Sequence, residues 1–155
     1  MDQIEKERAD GNIDPEVLAD DLVSLGDMFM EMKEPGKAIE PYLTAVNTYK
    51  DAYGNEDTYT IEAQLLLADA YQKSGRKAEA DFLLQSVIKI LRRDLEESEE
   101  DLRFLREDDD DDEESIDMFC DRVGELYFQM GWAYAIAGNK ILSTQYYTRA
   151  REECN

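Results

Sequence analysis

The sequence contains no histidine, and this absence limits the chemistry open to the protein. Histidine is the commonest general base in enzymes and the commonest metal ligand. The chain also has no glycine-rich phosphate loop and no nucleophile elbow. Its many carboxylates are spread over polar helix faces, and no pattern places a pair of them in an apolar pocket. We therefore expect a protein that is not an enzyme and that carries no cofactor and no metal.

Cysteine and long hydrophobic runs are also scarce. Cys120 and Cys154 do not have the spacing of a metal-binding pair, and we expect two reduced thiols. No run approaches the ~20 apolar residues of a membrane-spanning helix, and the N-terminus lacks the basic and apolar regions of a signal peptide. These absences predict a protein without membrane insertion in the cytoplasm or nucleus, while an organellar location after removal of a targeting sequence stays open.

Basic residues are few, since 17 Lys and Arg stand against 38 Asp and Glu and give a net charge of -21. Each phosphate contact requires a cation, so this balance disfavours direct binding of nucleic acid or of an anionic membrane. Basic protein surfaces are better candidate partners. The 155 residues, 43% of them hydrophobic, suit one globular domain with its own core.

Apolar residues recur at helical spacing along most of the chain. Asp14-Pro15-Glu16 has the residues of a helix start, and the stripe that follows predicts a first helix from about Pro15 to Met32. A second helix follows the turn Pro35-Gly36. It contains Pro41, where we expect a bend or a late start because proline removes one amide and obstructs the preceding turn.

Three segments repeat one pattern at offsets 4, 7, 8, 11, 20, 24 and 27 from the start of each unit. Small residues at offsets 8 and 20 allow two helices to approach, while large ones fill the groove between them. Gln64 and Ser143 are polar exceptions, and the first unit lacks the turn glycine seen at Gly75 and Gly138. The matching sets are Leu22, Leu25, Gly26, Phe29, Ala38, Tyr42 and Ala45; Gln64, Leu67, Ala68, Tyr71, Ala80, Leu84 and Val87; and Tyr127, Met130, Gly131, Tyr134, Ser143, Tyr147 and Ala150.

This pattern resembles the tetratricopeptide repeat (TPR). The resemblance implies an all-α fold, a TPR-like α-solenoid of three helical hairpins. Its repeats would span about 15–53, 57–93 and 116–155, within a TPR domain of residues 14–155 that follows a polar segment of residues 1–13. The step from Gly26 to Ala68 is longer than the usual repeat, and with the loop from Tyr53 to Thr58 it is similar to the repeats of kinesin light chains.

The step from the second unit to the third contains an insertion at about residues 94–115. Apolar stripes continue from Ile88 to Leu105 on one side of it and from Ile116 to Met130 on the other. The second of these stripes alternates steps of three and four residues, as in a coiled-coil seam. We therefore expect an extended antiparallel helical finger between the second and third repeats, with its first helix running to about Arg106.

The expected tip of this finger is strongly acidic. The segment from Asp94 to Asp117 has a net charge of -13, with Arg103 and Arg106 as its cations. One interpretation is a solvated loop that keeps the protein soluble. The other is a grip for a basic partner, although the calcium-loop spacing is missing. The core of the tip consists of Asp108, Asp109, Asp110, Asp111 and Asp112.

In the resembled family, offsets 2, 5, 9 and 13 of each first helix face a concave groove. The groove implied here is acidic with apolar anchors, which suits a segment carrying Lys or Arg beside apolar residues. Phe128 and Trp132 could instead be core residues, since aromatics at helical spacing usually pack. Val23 and Asp27 stand where clamps for chaperone tails carry Lys and Asn, which disfavours that partner. The groove set is Asp20, Val23, Asp27, Glu31, Glu62, Leu65, Asp69, Glu125, Phe128 and Trp132.

Two functional hypotheses follow. The first is a non-catalytic scaffold or adaptor that binds a protein segment in its groove, as a subunit of a larger assembly. Its C-terminal end would then be covered by another subunit, because the last helix carries Tyr146, Tyr147 and Ala150 with no polar helix after it. The second is an acidic chaperone or escort for basic clients such as histones or ribosomal proteins.

Overall fold

The computed structural model describes residues 14–107 and 113–152, and this part of the chain is α-helical without strands. The predicted all-α fold of helical hairpins is therefore confirmed. The helices are α1 (Pro15–Glu31), α2 (Pro35–Tyr53), α3 (Thr58–Lys73), α4 (Lys77–Glu107), α5 (Glu113–Ile136) and α6 (Lys140–Glu152).

The first and third helices begin at capping aspartates. The Asp14 carboxylate accepts a hydrogen bond from the amide of Glu16 at 3.0 Å, and Pro15 occupies the first helical position. The Asp57 carboxylate does the same for the amide of Tyr59 at 2.9 Å. Each aspartate satisfies one amide that has no partner inside its helix. The predicted helix start at residue 14 is confirmed.

The turn inside each hairpin has the same geometry. Its central residue has positive φ, with values of 61° at Lys33, 83° at Gly75 and 78° at Gly138. The amide after this residue donates to the carbonyl five residues earlier, at 2.9 Å in all three turns. This is the Schellman arrangement, which ends a helix by pairing its last carbonyls. Lys33 therefore occupies the place of the turn glycine that the first unit lacks.

Helix α2 runs through Pro41 without interruption, and Pro41 is buried. The expected late start is wrong, because α2 begins at Pro35. Pro41 lacks the amide hydrogen that would pair with the carbonyl of Lys37, one turn earlier. Since Lys37 lies in the first turn, only the start of α2 loses a hydrogen bond.

The described residues form two compact units, which divide within α4 between Glu79 and Ala80. In the first unit, α1 packs against α2 and α2 packs against α3. Gly26 permits the close approach of α1, because a Cβ atom at this position would overlap the Tyr42 ring. The first hairpin buries Ala19, Ala38, Tyr42, Ala45, Val46 and Tyr49.

In the second unit, α5 packs against α6 by the same device. A Cβ atom at Gly131 would lie 2.7 Å from the Tyr147 ring. The small residue at offset 8 thus contacts the aromatic ring at offset 24 in both hairpins. Buried side chains of α5 include Val123, Leu126, Tyr127 and Met130.

Helices α4 and α5 of the second unit contact each other in antiparallel order. Helix α4 is continuous for 31 residues and buries Leu91, Leu95 and Leu102. Each step of seven residues forward along α4 corresponds to a step of seven backward along α5. How far the two helices extend as a finger stays a prediction. The paired side chains are Arg92 with Tyr134, Glu99 with Tyr127, and Arg106 with Cys120.

Candidate binding surface

Two of the predicted groove residues, Asp20 and Asp27, belong to a ladder of hydrogen bonds between α1 and α2. The Tyr42 hydroxyl donates to the Asp27 carboxylate at 2.6 Å, and the Tyr49 hydroxyl donates to Asp20. One step further along the helices, the third hydroxyl donates to its carboxylate at 2.8 Å. We call this set the tyrosine–carboxylate ladder. It comprises Tyr42 with Asp27, Tyr49 with Asp20, and Tyr53 with Glu16.

The ladder holds its phenols in the protonated form. Burial raises the pKa of Tyr42 far above its ordinary value, and the hydrogen bond to Asp27 and the charges of Asp27 and Asp69 add to the rise. Burial and the hydrogen bond to Asp20 likewise raise the pKa of Tyr49. At Tyr53 the hydrogen bond to Glu16 is the main cause, and it raises the pKa to about 12. Each tyrosine therefore remains a donor at physiological pH.

Asp69 of α3 lies near the same point of the first unit. Its charge acts on Tyr42, whose hydroxyl is bound to Asp27 of α1. The Nζ atom of Lys73, one turn along α3, lies 2.6 Å from the Asp69 carboxylate. The Tyr42 hydroxyl is thus bound by a carboxylate of α1, while the nearby Asp69 carboxylate of α3 holds an ammonium group.

The other predicted groove residues of the first unit differ in exposure. Glu31 is exposed, while Val23 and Glu62 are half-buried. Leu65 is completely buried, with 0% of its surface exposed. This corrects the predicted set, because a side chain without exposed surface cannot contact a partner. Leu65 carries an apolar side chain at a position where α3 packs inward.

The predicted residues of α5 lie in the second unit. Glu125 is exposed and Trp132 is half-buried. Phe128 is 54% exposed, and its ring centroid lies 5.4 Å from that of Tyr147. Phe128 therefore packs one side of its ring against α6 and leaves the other side open.

A second network of this kind, which the sequence pattern does not predict, is centred on Tyr127. The buried Tyr127 hydroxyl donates to the Glu99 carboxylate of α4, and Arg149 Nη1 of α6 donates to the same hydroxyl at 2.8 Å. Burial is the largest cause that raises the pKa of Tyr127 to about 12, and the hydrogen bond to Glu99 is the next. This network joins all three helices of the second unit.

The C-terminal helix α6 presents mostly polar residues to solvent, among them Thr144, Gln145 and Thr148. Ile141 is the apolar exception, at 73% exposure. Tyr146, Tyr147 and Ala150 are half-buried. That another subunit covers this end stays a prediction.

Other predicted features lie partly outside the described residues. The acidic tip, Asp108 to Asp112, lies there, as do Cys154 and the polar segment of residues 1–13. The escort hypothesis therefore still rests on charge alone. Within the described ranges, no group of His, Cys, Asp or Glu is arranged to hold a metal ion. No helix in that part is both long and apolar enough to cross a membrane.

Comparison with known proteins gives one family. Searches of curated proteins and of solved structures found no match. Residues 21–93 match the family model described as tetratricopeptide repeat. The matched segment runs from α1 into α4 and contains the first two hairpin turns. The similarity of the repeat spacing to kinesin light chains stays a prediction. The chain therefore contains tetratricopeptide repeats at residues 21–93.

Proposed function

We propose that this protein is a non-catalytic scaffold whose first unit binds a partner segment that carries Lys or Arg beside apolar residues. Tetratricopeptide repeats mediate protein–protein interactions, and the matched residues include the whole of α2 and α3. The proposed acidic surface consists of Asp20, Asp27 and Asp69, with the tyrosine–carboxylate ladder beneath it.

One observation carries this proposal, namely that the Tyr42 hydroxyl of α2 donates to Asp27 of α1 at 2.6 Å while the charge of Asp69 on α3 helps to raise the pKa of Tyr42. The two carboxylates belong to α1 and α3, the helices that pack against α2 in the first unit, and we take them as parts of one acidic surface. Two carboxylates that face one point favour a cation between them. Lys73 already supplies an ammonium to Asp69, and its side chain is 59% exposed. A Lys or Arg of a partner can take the same place.

The ladder also explains why this surface keeps its shape. Each hydroxyl of α2 fixes the position of one carboxylate of α1 before a partner arrives. A carboxylate that is already oriented loses little side-chain freedom on binding. Val23, half-buried on α1, is a candidate apolar contact. Charges of this kind steer a partner and select its sequence, while apolar contacts supply most of the affinity.

The test compares charge removal inside and outside the proposed surface. Asp27→Asn removes the charge while keeping an acceptor for the Tyr42 hydroxyl. Asp69→Asn removes the corresponding charge on α3. Asp51→Asn, at an exposed position of α2, is the matched control. Partners are captured from the native source with each variant, identified by mass spectrometry, and their dissociation constants are then measured with purified proteins.

We expect Asp27→Asn and Asp69→Asn each to weaken partner binding by about three- to tenfold at low ionic strength, and less at high salt. Asp51→Asn should bind as the parent does. Circular dichroism melts show whether each variant is folded. If all three variants bind the same partners with the affinity of the parent, the acidic surface is not the binding site.

A further inference from the structure

Helix α1 presents an apolar face to solvent on the side away from the tyrosine–carboxylate ladder. Its residues recur at helical spacing and lie on one side of the helix and its C-terminal cap. Only Ala19 and Gly26 of α1 are buried in the described structure. We call this the outer face of α1. It comprises Val17 at 52% exposure, Leu18 at 38%, Leu25 at 42%, Met28 at 58% and Met32 at 61%.

Three of these repeat positions, those of Leu18, Leu25 and Met28, are buried in the first helices of the other two hairpins, whereas Tyr59, the counterpart of Val17, is 50% exposed. Leu25 is 42% exposed, whereas Leu67 of α3 is 2% exposed and Met130 of α5 is 0% exposed. Helix α1 therefore leaves exposed a leucine whose counterparts in α3 and α5 are buried. The remaining matched sets are Leu18 with Thr60 and Val123, and Met28 with Ala70 and Ala133, and the partners of Leu18 and Met28 are all 0% exposed.

The contacts of α3 show which element packs against the corresponding side of that helix. Tyr59 and Thr60, the counterparts of Val17 and Leu18, contact the end of the preceding helix α2. The Tyr59 ring centroid lies 5.8 Å from that of Tyr49, and the Thr60 hydroxyl donates to the carbonyl of Gly54 at 2.8 Å. The outer face of α1 is thus the side on which α3 packs against a helix.

Charge indicates which helix would fit. Helix α1 contains five carboxylates and no Lys or Arg. Asp21 is exposed within the outer face, at the position between Leu18 and Leu25, and forms no ion pair with any described residue. A second copy of the chain would place its own Asp21 or its mostly polar α6 against this face, and neither complements it. A helix with apolar and basic residues complements both features.

We propose that the outer face of α1 docks an amphipathic helix of a partner protein, with Leu- or Ile-type side chains along its seam and Lys or Arg beside that seam. The apolar seam covers Leu18, Leu25 and Met28, and a basic residue pairs with Asp21. Flexible methionines at one end of the face allow it to adapt to the shape of the seam. This surface is distinct from the acidic surface of Asp20, Asp27 and Asp69, which lies on the ladder side of α1.

The probe is a synthetic helical peptide about three heptads long, with Leu at the a and d positions and Lys at e and g. Binding to the full chain is measured by fluorescence anisotropy at physiological ionic strength. A peptide with Glu at e and g and a scrambled Lys peptide serve as controls. The variant Leu25→Glu tests the apolar seam, and Phe82→Glu makes the same change at another exposed apolar residue, 79% exposed on α4.

We expect Leu25→Glu to weaken binding of the Lys peptide by at least about tenfold, since a buried leucine contributes roughly that factor or more. Phe82→Glu adds the same charge and should leave the affinity unchanged. Asp21→Lys should weaken binding of the Lys peptide and strengthen binding of the Glu peptide. Asp51→Lys on α2 should leave the affinity for both peptides unchanged. Circular dichroism confirms that each variant is folded.

Other results overturn the proposal. Equal binding of the scrambled peptide, or equal loss in Leu25→Glu and Phe82→Glu, would mean that the peptide is held only by the net negative charge. Self-association of the parent chain that Leu25→Glu abolishes, without specific binding of the Lys peptide, would assign the face to a second copy. Loss of binding in Asp69→Asn together with normal binding in Leu25→Glu would place the peptide on the acidic surface instead.

Discussion

Lys33 shows how a single residue departs from the pattern of the repeat while the backbone does not. Its φ of 61° matches the conformation of Gly75 and Gly138 at the corresponding turns. The left-handed conformation brings the Cβ atom of a non-glycine residue close to the backbone, at a cost of about 1–2 kcal/mol. The turn keeps its geometry because the hydrogen bonds from Lys33 and Glu34 close the end of α1.

Lys33→Gly should therefore stabilise the protein. Relief of the left-handed strain contributes more free energy than the added flexibility of the unfolded chain costs. We therefore expect the free energy of unfolding to rise by about 0.5–1 kcal/mol. The measurement is urea unfolding followed by circular dichroism. Lys33→Ala removes the same charge without relieving φ, so it should leave stability close to that of the parent. A loss of stability in Lys33→Gly would show that the Lys33 side chain contributes more than its backbone strain costs.

Single residues were predicted from the sequence where packing within one hairpin decides their place. Gly26 was predicted to allow two helices to approach, and in the structure it lies against the Tyr42 ring of the next helix. Leu65 was placed on the open groove and is buried. The offset of Leu65 indicates which side of α3 it lies on. How deeply it is buried depends on the neighbouring helices, which the pattern of one helix does not define.

At the scale of helices, hydroxyl–carboxylate contacts tie each unit together. Tyrosines of α2 bind carboxylates of α1 at three levels, and Tyr127 binds Glu99 across α4 and α5. The sequence shows the tyrosines and the acids, but it does not show which of them meet. That pairing depends on the rotation of each helix about its own axis, which is set by side-chain packing. Helix α4 was easier to predict, since its apolar stripe continues to Leu105 with a single gap at Ser98.

These contacts predict a loss of stability in alkali. The pKa of Tyr53 and of Tyr127 is raised to about 12, and the pKa values of Tyr42 and Tyr49 are raised as well. An unfolded tyrosine ionises near its ordinary pKa of about 10. Above that pH the unfolded chain binds fewer protons than the folded chain, so the free energy of unfolding falls as pH rises. Their contribution is fully present below about pH 10 and is lost as pH rises through about 12.

Urea unfolding at several values between about pH 8 and 12 measures this dependence. Tyr53→Phe and Tyr127→Phe should each show a shallower decline than the parent, because one ionising group has been removed. Tyr59→Phe removes a phenol outside the ladder and is the control. A parent whose stability stays constant up to about pH 12 would contradict the prediction.

At the scale of the whole molecule, the sequence gives the total charge but not its distribution over the surface. The net charge of -21 follows from composition, and it is the basis for proposing acidic binding surfaces. The positions of those surfaces depend on the fold. Asp20 and Asp27 lie on one side of α1 as ladder members, while Asp21 lies on the other side within an apolar face. Adjacent acids in the sequence thus belong to two different proposed binding surfaces.

The same net charge makes repulsion a general cost of folding, because the folded chain holds its carboxylates closer together than the unfolded chain does. Salt screens charges that lie farther apart than the Debye length, about 10 Å at 0.1 M. We therefore expect NaCl, raised from about 0.02 to 0.5 M, to increase stability by about 1 kcal/mol, or about 3 °C in Tm. Thermal melts by circular dichroism measure this change in Tm.

A variant with Asp21→Asn, Glu31→Gln and Asp81→Asn should show a smaller rise in Tm with salt, since it has fewer charges to screen. A Tm that falls with salt would mean that close ion pairs such as Lys73 with Asp69 outweigh the repulsion between the remaining acids.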